Sequence, residues 1–211
     1  IDEAPIQKVC YMKRLPAIWI ARHGETDWSA AGKHTGLTDV SLNARGRSQA
    51  RELGRGIDRI GIRFAAVFTS PLARARETAE LAGFPKAKTL PQLCEWDYGE
   101  FEGRTTTDIR REQGQDWITW NADIQHGENL HNVGQRADDA IEQLIRTDGD
   151  VLVFAHGHLL RILASRWTGF PAAAGQRLAL DTGTISKLGY EHEYRVIDFW
   201  NAPVTWSVRV P

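Results

Sequence analysis

Short, continuous apolar runs alternate along the chain with segments whose apolar residues recur every three or four positions. The runs 15–21, 65–69 and 151–155 are the most continuous, and such runs are typical of strands that a parallel sheet buries on both faces. Two later stretches, 184–188 and 194–199, are also interpreted as strands, the second of them at an antiparallel edge. The pattern therefore predicts a sheet assembled from strands that lie far apart in the sequence.

Three segments between these runs have helical spacing. The first helix follows a cap at Asn43, the second has Ser70 as its cap and Pro71 as its first helical residue and ends at Gly83, and the third starts at residues 127–128. The apolar positions that define the three helices are Ala50, Leu53, Ile57 and Ile60, then Leu72, Ala75, Ala79, Leu81 and Ala82, and finally Val133, Ala137, Ala140 and Leu144.

This alternation of strands and helices predicts an α/β fold, a three-layer sandwich with a mostly parallel sheet, one antiparallel edge strand and helices on both faces. The stretch 95–133 is polar, glycine-rich and without a clear strand, and it contains Trp96, Trp117 and Trp120. We interpret it as a small helical cap insertion over the active site.

The domain organisation is simple. We expect one domain over residues 12–211, since 211 residues of which 42% are hydrophobic can bury one good core. Met12 is the only methionine and is interpreted as the natural start, so that residues 1–11 are a leader or an expression remnant.

Two of the predicted strands end in histidine. His23 follows the first run within an Arg-His-Gly sequence, and His156 follows the run 151–155 within a His-Gly sequence. Ligands bind at the carboxyl ends of strands in open α/β sheets, so we expect the two imidazoles to lie side by side there. Arg74 falls in the first turn of a helix that starts at the same rim, where a guanidinium and helix amides together suit a phosphate.

Four separated motifs carry a family resemblance. In order, they are RHGET at 22–26, SPLARA at 70–75, LCEWDYG at 93–99 and AHG at 155–157. With this order and spacing, from about residue 18 to residue 188, the chain resembles the histidine phosphatase superfamily, the phosphoglycerate mutase-like proteins. The stretches 32–39 and 95–103 and the HGH sequence at 156–158 resemble its acid phosphatase and sedoheptulose-bisphosphatase branch.

The resemblance implies catalysis through a phosphohistidine intermediate. His23 would be the nucleophile, kept neutral by neighbouring cations. Arg22, Arg74 and His156 would hold the phosphoryl oxygens. Glu95 would protonate the leaving oxygen and then activate water.

The remaining expected contacts are to the rest of the substrate and to the phosphoryl group. Ser29 stands where the commoner family pattern has asparagine, and a hydroxyl can still donate one hydrogen bond. Thr35, Gly36 and Tyr98 are interpreted as substrate-binding, with an ordinary turn and a half-buried aromatic ring as the alternative. Further expected binding groups are the Gly157 amide, as a donor, and Arg161, which either reaches a second phosphate or faces solvent.

Metal chemistry and macromolecular partners are not expected. No HExxH or paired CxxC sequence accompanies the histidines, so we expect no metal and no cofactor. The other histidines, His34, His126, His131 and His192, stand among polar residues, and most of them are predicted to be solvated.

The overall charge and cysteine content support an ordinary enzyme. A net charge of −1 argues against nucleic-acid binding, and no run of 18 apolar residues predicts a membrane span. Cys10 and Cys94 show no pairing pattern, so reduced thiols in a cytoplasmic protein are the simplest interpretation. The expected partner is a small phosphorylated substrate, and the oligomeric state stays open between a monomer and a homodimer.

Three functions are weighed. The favoured one is a metal-independent phosphatase of sugar phosphates or bisphosphates, and the alternatives are a phosphoglycerate mutase and a non-catalytic scaffold. Mutases of the superfamily usually carry a more basic insertion after the acid motif. Here the arginines of that region are offset by acids, which are Asp108, Glu112, Asp116, Asp123 and Glu128. The joint presence of His23, Glu95 and His156 argues against a scaffold.

Overall fold

The predicted strands form a single sheet in the computed structural model, which describes residues 15–203. The predictions about Met12, Cys10 and residues 1–11 lie outside this range. The strands are β1 (Ile18–Arg22), β2 (Ala66–Thr69), β3 (Lys88–Thr89), β4 (Val151–Ala155), β5 (Ile185–Glu191) and β6 (Tyr194–Ala202), and their order across the sheet is β3-β2-β4-β1-β5-β6.

The sheet is mostly parallel, as predicted. β1 pairs in parallel with β4, and β2 pairs in parallel with both β4 and β3. β5 is antiparallel to β1 and to the edge strand β6, so the antiparallel part comprises two pairings and not a single edge strand. β5 and β6 are antiparallel because the connection from Glu191 to Tyr194 is short, and the chain reverses direction there at His192, whose φ is 53°.

Helices cover both faces of the sheet, which confirms the three-layer arrangement. They are α1 (Asp27–Ala30), α2 (Ala44–Ile60), α3 (Ala73–Leu81), α4 (Thr106–Gln113), α5 (Leu130–Ile145) and α6 (Gly157–Trp167). Alternation along β1 divides the core, because Ile18 and Ile20 pack with residues of α5 and α6, whereas Trp19 and Ala21 pack with residues of α2 and α3.

Two of the three predicted helix starts are wrong. The cap of α2 is Asn43 as predicted, and its side chain accepts from the Gly46 amide at 2.9 Å. α3 begins at Ala73 and not at Pro71, because the Ser70 hydroxyl hydrogen-bonds the His156 ring and the Asp39 carboxylate accepts from the Ala73 amide instead. α5 begins at Leu130, beyond residues 127–128, because Asn129 is its cap.

The stretch 95–133 is partly helical. It contains α4 and two 3₁₀ turns, Gly99–Phe101 and Thr119–Asn121, and its Trp96 is fully buried. Its assignment as a separate cap stays a prediction. No helix within residues 15–203 has the length and apolar character that crossing a bilayer requires.

Helices α2 and α3 approach closely at a glycine, and this contact gives a prediction for stability. A Cβ on Gly54 would lie 2.6 Å from the Ala82 carbonyl oxygen. Alanine has the better helix propensity by ~1 kcal/mol, but overpacking against backbone costs about 1–3 kcal/mol. Gly54→Ala should therefore lower the free energy of unfolding measured in urea.

The matched control is Ser48→Ala, at an exposed position of the same helix. It should be neutral or should stabilise the protein by a few tenths of a kcal/mol, roughly the difference in propensity. A Gly54→Ala protein as stable as the parent would contradict the close contact.

Candidate active site

The two histidines of the sequence motifs lie together at the carboxyl ends of adjacent strands. The parallel register pairs Arg22 with Ala155, and the His23 amide donates to the Ala155 carbonyl at 3.0 Å. As a result, the ring centroids of His23 and His156 are 5.1 Å apart. The side-by-side placement expected from the sequence is present.

The geometry of His23 leaves one ring nitrogen free to attack. Its Nδ1 is 2.7 Å from the Gly24 carbonyl oxygen, which can only accept, so Nδ1 carries the proton and Nε2 keeps its lone pair. Burial, followed by the nearby cations Arg74 and Arg22, lowers the pKa of His23 well below its ordinary value. The neutral, nucleophilic form is therefore the stable one at neutral pH.

His156 is held by hydrogen bonds at both ring nitrogens. Arg74 Nε donates to its Nδ1 at 3.1 Å, so the ring must donate from Nε2, and the Ser70 hydroxyl oxygen accepts there at 2.7 Å. Burial, Arg74 and His23 lower the pKa of His156 well below its usual value. The imidazole is thus neutral and fixed in one tautomer.

Arg74 is fully buried and also organises the loop before α2. Its Nη1 donates to the Thr38 carbonyl at 3.0 Å, and its Nη2 donates to the carbonyls of Thr35 and Gly36 at 3.2 and 2.7 Å. With the bond to His156, four of the five guanidinium N–H groups are used. Arg74 therefore lies next to His156, and one of its N–H groups has no partner among the hydrogen bonds of residues 15–203.

Glu95 is positioned by backbone amides. Its Oε1 accepts from the amides of Trp96 and Leu159, both at 2.9 Å, and its Oε2 accepts from the amide of His158 at 3.0 Å. Two of these donors belong to the first turn of α6, where unpaired amides and the helix dipole favour an acidic partner. The carboxyl group is consequently fixed beside the first turn of α6, which begins directly after His156.

A cavity of about 210 Å³ is lined by His23 and Glu95, whereas Arg74 and His156 are fully buried and are not part of its lining. Its described lining includes three cations, Arg22, Lys33 and Arg161, and one carboxylate, that of Glu95. The Nε of Arg22 is buried and has no hydrogen-bond partner within residues 15–203, while its Nη1 donates to the Leu180 carbonyl. The cavity wall is therefore cationic and holds an unused donor, which suits an anionic ligand.

The residues that were expected to bind substrate do not all line this cavity. Ser29, Thr35, Tyr98 and Gly157 line the cavity, and Gly36 does not. The lack of a side chain at Gly36 lets the Glu102 carboxylate approach the backbone, because a Cβ at this position would lie 2.3 Å from Glu102 Oε1. The Ser29 hydroxyl accepts from the Thr26 amide at 2.9 Å, which closes the capping box of α1, and it donates to the Thr26 carbonyl at 3.0 Å.

Three of the four remaining histidines are exposed, in agreement with the prediction that most of them are solvated, and His34 is the exception. His126, His131 and His192 are exposed, but His34 is partly buried, with its ring 5.0 Å from Tyr98 and 5.6 Å from Trp117. Burial lowers the pKa of His34 to about 4. The aromatic residues that surround the ring come from a distant part of the chain, so the local sequence does not distinguish His34 from the other three.

Arg161 lies on the cavity and not in bulk solvent. Its guanidinium stands 4.8 Å from the centre of the Trp120 ring, and its Nε and Nη2 donate to the carbonyls of Gly175 and Gln176 at 3.1 and 3.0 Å. This decides the placement that the sequence had left open, and it leaves the second-phosphate role as a proposal.

Several lining residues were not identified from the sequence as contacts. Lys33 and His34 could have been identified, because they lie inside the stretch 32–39 that carries part of the family resemblance. Leu180 belongs to no sequence pattern that could have identified it. His158 was noted within the HGH sequence at 156–158 but was not expected as a contact, and its Nδ1 is 2.5 Å from the Tyr98 hydroxyl. Within the described part of the chain, no three histidine, cysteine or acidic groups are arranged to hold a metal ion.

Comparison with known proteins agrees with the motifs. The family described as Histidine phosphatase superfamily (branch 1) matches residues 18–203. An acid phosphatase of Mycobacterium tuberculosis is 40% identical over 83% of this chain and 87% of its own length. A sedoheptulose 1,7-bisphosphatase of Saccharomyces cerevisiae is 35% identical over 73% of this chain and 68% of its own length. A 2,3-bisphosphoglycerate-dependent phosphoglycerate mutase of Mesorhizobium japonicum is 31% identical over 78% and 87%.

A solved structure shows the same fold. The protein of the open reading frame Rv3214 from Mycobacterium tuberculosis superimposes with a TM-score of 0.85 at 36% identity, over 90% of this chain and 98% of that one. The resemblance inferred from the four motifs is confirmed.

The buried histidines predict how stability depends on pH. The folded pKa values of His23, His34, His156 and His158 are all lowered, so below an unfolded pKa of about 6.5 the unfolded chain binds more protons. The free energy of unfolding should therefore fall as the pH drops from 6.5 toward 4. His34→Gln should flatten this slope by about 1 kcal/mol per pH unit in urea titrations, a figure reduced for partial exposure.

The control for this slope is His131→Gln, at an exposed position of α5. It should keep the slope of the parent protein. An identical slope for the His34→Gln protein would contradict the neutral state assigned to that ring.

Proposed function

Because the chain belongs to branch 1 of the histidine phosphatase superfamily and is a phosphoric monoester hydrolase, we propose that it hydrolyses small phosphorylated metabolites through a phosphohistidine on His23. The observation that carries this proposal is the state of His23, whose Nε2 lone pair is free while Nδ1 donates to the Gly24 carbonyl. The mechanism needs no metal ion, since the charge of the phosphoryl group is met by arginines.

In the first step, His23 Nε2 attacks phosphorus, and the bond from phosphorus to the leaving oxygen breaks. Glu95 donates its proton to that oxygen, so the product leaves as an alcohol. Arg22 offers its unused Nε donor to the phosphoryl oxygens, and the Gly157 amide lies on the same cavity. Arg74, which is not part of the cavity lining, is bonded to His156 and has one N–H left as a further donor. His156 keeps the position next to His23 that its bonds to Arg74 and Ser70 fix.

In the second step, the Glu95 carboxylate removes a proton from water, and the water oxygen attacks the phosphohistidine. The bond between Nε2 and phosphorus breaks, so neutral His23 is restored and inorganic phosphate leaves. Glu95 is protonated again and the cycle is closed. One carboxyl group thus serves both steps.

Sugar phosphates or bisphosphates are the substrates that we propose. The cavity of about 210 Å³ fits a small molecule, and Lys33 and Arg161 supply cationic groups in addition to Arg22. A second anionic group on the leaving portion would meet those two side chains. The relative named as a sedoheptulose 1,7-bisphosphatase supports this substrate class.

A phosphoglycerate mutase is the second candidate, favoured by relatives such as the one from Mesorhizobium japonicum. A mutase must protect its phosphohistidine from water. The acids of the stretch 95–133, among them Asp108 and Glu112, argue for the phosphatase, since they offset the positive charge that would attract phosphoglycerates. We expect 3-phosphoglycerate with a bisphosphoglycerate primer to release free phosphate; rapid isomer formation with little phosphate release would reverse the assignment.

The nucleophile gives the most direct mutational prediction. His23→Ala should lower kcat/KM for a sugar bisphosphate by about 10³-fold or more, because no other group forms the covalent intermediate. Phosphate release is the measurement, and the melting temperature should show that the variant still folds. His131→Ala, at an exposed position, is the control and should retain full activity. Substantial turnover by the His23→Ala protein would overturn the proposal.

A further inference from the structure

The segment that carries Glu95 has no regular secondary structure of its own. It runs between the 3₁₀ turns Pro91–Leu93 and Gly99–Phe101, outside the sheet and the long helices. The carboxyl group is fixed by amides at the start of α6, but the position of the backbone has to be fixed separately. That second constraint comes from α5.

Arg136, on α5, binds the carbonyl oxygens of this segment. Its Nη1 donates to Gln92 at 2.9 Å and to Cys94 at 2.6 Å, and its Nη2 donates to the carbonyl of Glu95 itself at 3.2 Å. The guanidinium therefore contacts the main chain on the N-terminal side of the Glu95 side chain and at Glu95.

Glu128 completes the arrangement on the other side. Arg136 Nε donates to its Oε1 at 3.0 Å, and Nη2 donates to its Oε2 at 2.7 Å, so all five N–H groups of Arg136 are used. The Oε2 of Glu128 also accepts from the Asp97 amide at 3.1 Å, and its carbonyl accepts from Trp96 Nε1 at 2.7 Å. The ion pair thus holds residues on both sides of Glu95.

We propose that Arg136, paired with Glu128, is a positioning residue that sets where the Glu95 carboxyl group meets the leaving oxygen. The inference rests on the proposed function of Glu95 as general acid. A displacement of ~1 Å in such a group costs on the order of 10²-fold in rate, and three backbone contacts from one planar side chain oppose it. Lysine has the same charge but lacks the planar guanidinium with its five donors, so Arg136→Lys should weaken the contacts that hold the backbone of residues 92–95.

The leaving group separates positioning from simple stabilisation. An alkyl phosphate releases a strongly basic alkoxide and needs the proton of Glu95, whereas p-nitrophenyl phosphate releases a weakly basic phenolate and needs it little. The parameter kcat/KM covers the steps up to departure of the leaving group. A variant that misplaces the acid therefore loses kcat/KM chiefly on the alkyl substrate, whereas partial unfolding lowers both values equally.

The experiment compares kcat/KM for a sugar phosphate and for p-nitrophenyl phosphate in four proteins. Glu95→Gln should lose about 10²–10⁴-fold on the sugar phosphate and much less on the aryl ester. Arg136→Lys should lose roughly 10–10²-fold on the sugar phosphate and a few-fold on the aryl ester. Arg166→Lys is the matched control, because Arg166 makes a comparable two-pronged pair with Asp138 on α5, and it should change neither value selectively.

The fourth protein, Glu128→Gln, keeps the shape of the partner and removes its charge, so it provides the test if Arg136→Lys does not fold. It should show the same selective loss to a smaller extent. Equal losses on both substrates in these variants, with the selective loss retained in Glu95→Gln, would overturn the role of Arg136 and leave the proposed function intact. No selective loss in Glu95→Gln itself would overturn the general-acid assignment, and the inference with it.

Discussion

The parallel pairing of β1 with β4 is the constraint on which the rest of the site depends. It places the residues that follow Arg22 and Ala155 at one point, and the two imidazole rings meet there with centroids 5.1 Å apart. Both strands are apolar and covered on both faces, so the rings stand at the edge of a buried core. Burial among cations keeps the rings neutral, and the lone pair of His23 Nε2 is the one that we propose attacks phosphorus.

Two arginines, Arg74, which is fully buried, and Arg136, which is partly buried, organise the irregular segments around these histidines. Arg74 donates to the carbonyls of the loop 35–38, and Arg136 donates to the carbonyls of the segment 92–95. Glu102 binds backbone amides where the arginines bind carbonyls, because its carboxylate accepts from the amides of Leu37 and Thr38 at 2.5 and 2.8 Å. Loops without regular structure thus gain partners for their backbone groups, and the groups that we propose to react keep fixed positions.

The sequence was sufficient for features that depend on local pattern. Continuous apolar runs identified β1, β2 and β4, and the cap at Asn43 marked the start of α2. The histidine pair was also predictable, since the ends of parallel strands meet at one rim. Other features depend on partners that are distant in the sequence. Ser70 was expected to cap a helix, but it bonds His156, and His34 stands among polar residues in the sequence, but its ring lies against Tyr98 and Trp117. Arg136 looks like an ordinary polar position of an amphipathic helix, and only the fold shows that it reaches the Glu95 segment.

The central claim is that Nε2 of His23 accepts the phosphoryl group. Rapid quenching of the enzyme during turnover of a ³²P-labelled substrate, followed by mapping of the labelled peptide, tests it most directly. The account predicts a label on His23 that is stable in alkali and lost in acid, as a bond between phosphorus and nitrogen would be. A label on another side chain, or turnover with no covalent label at all, would contradict it.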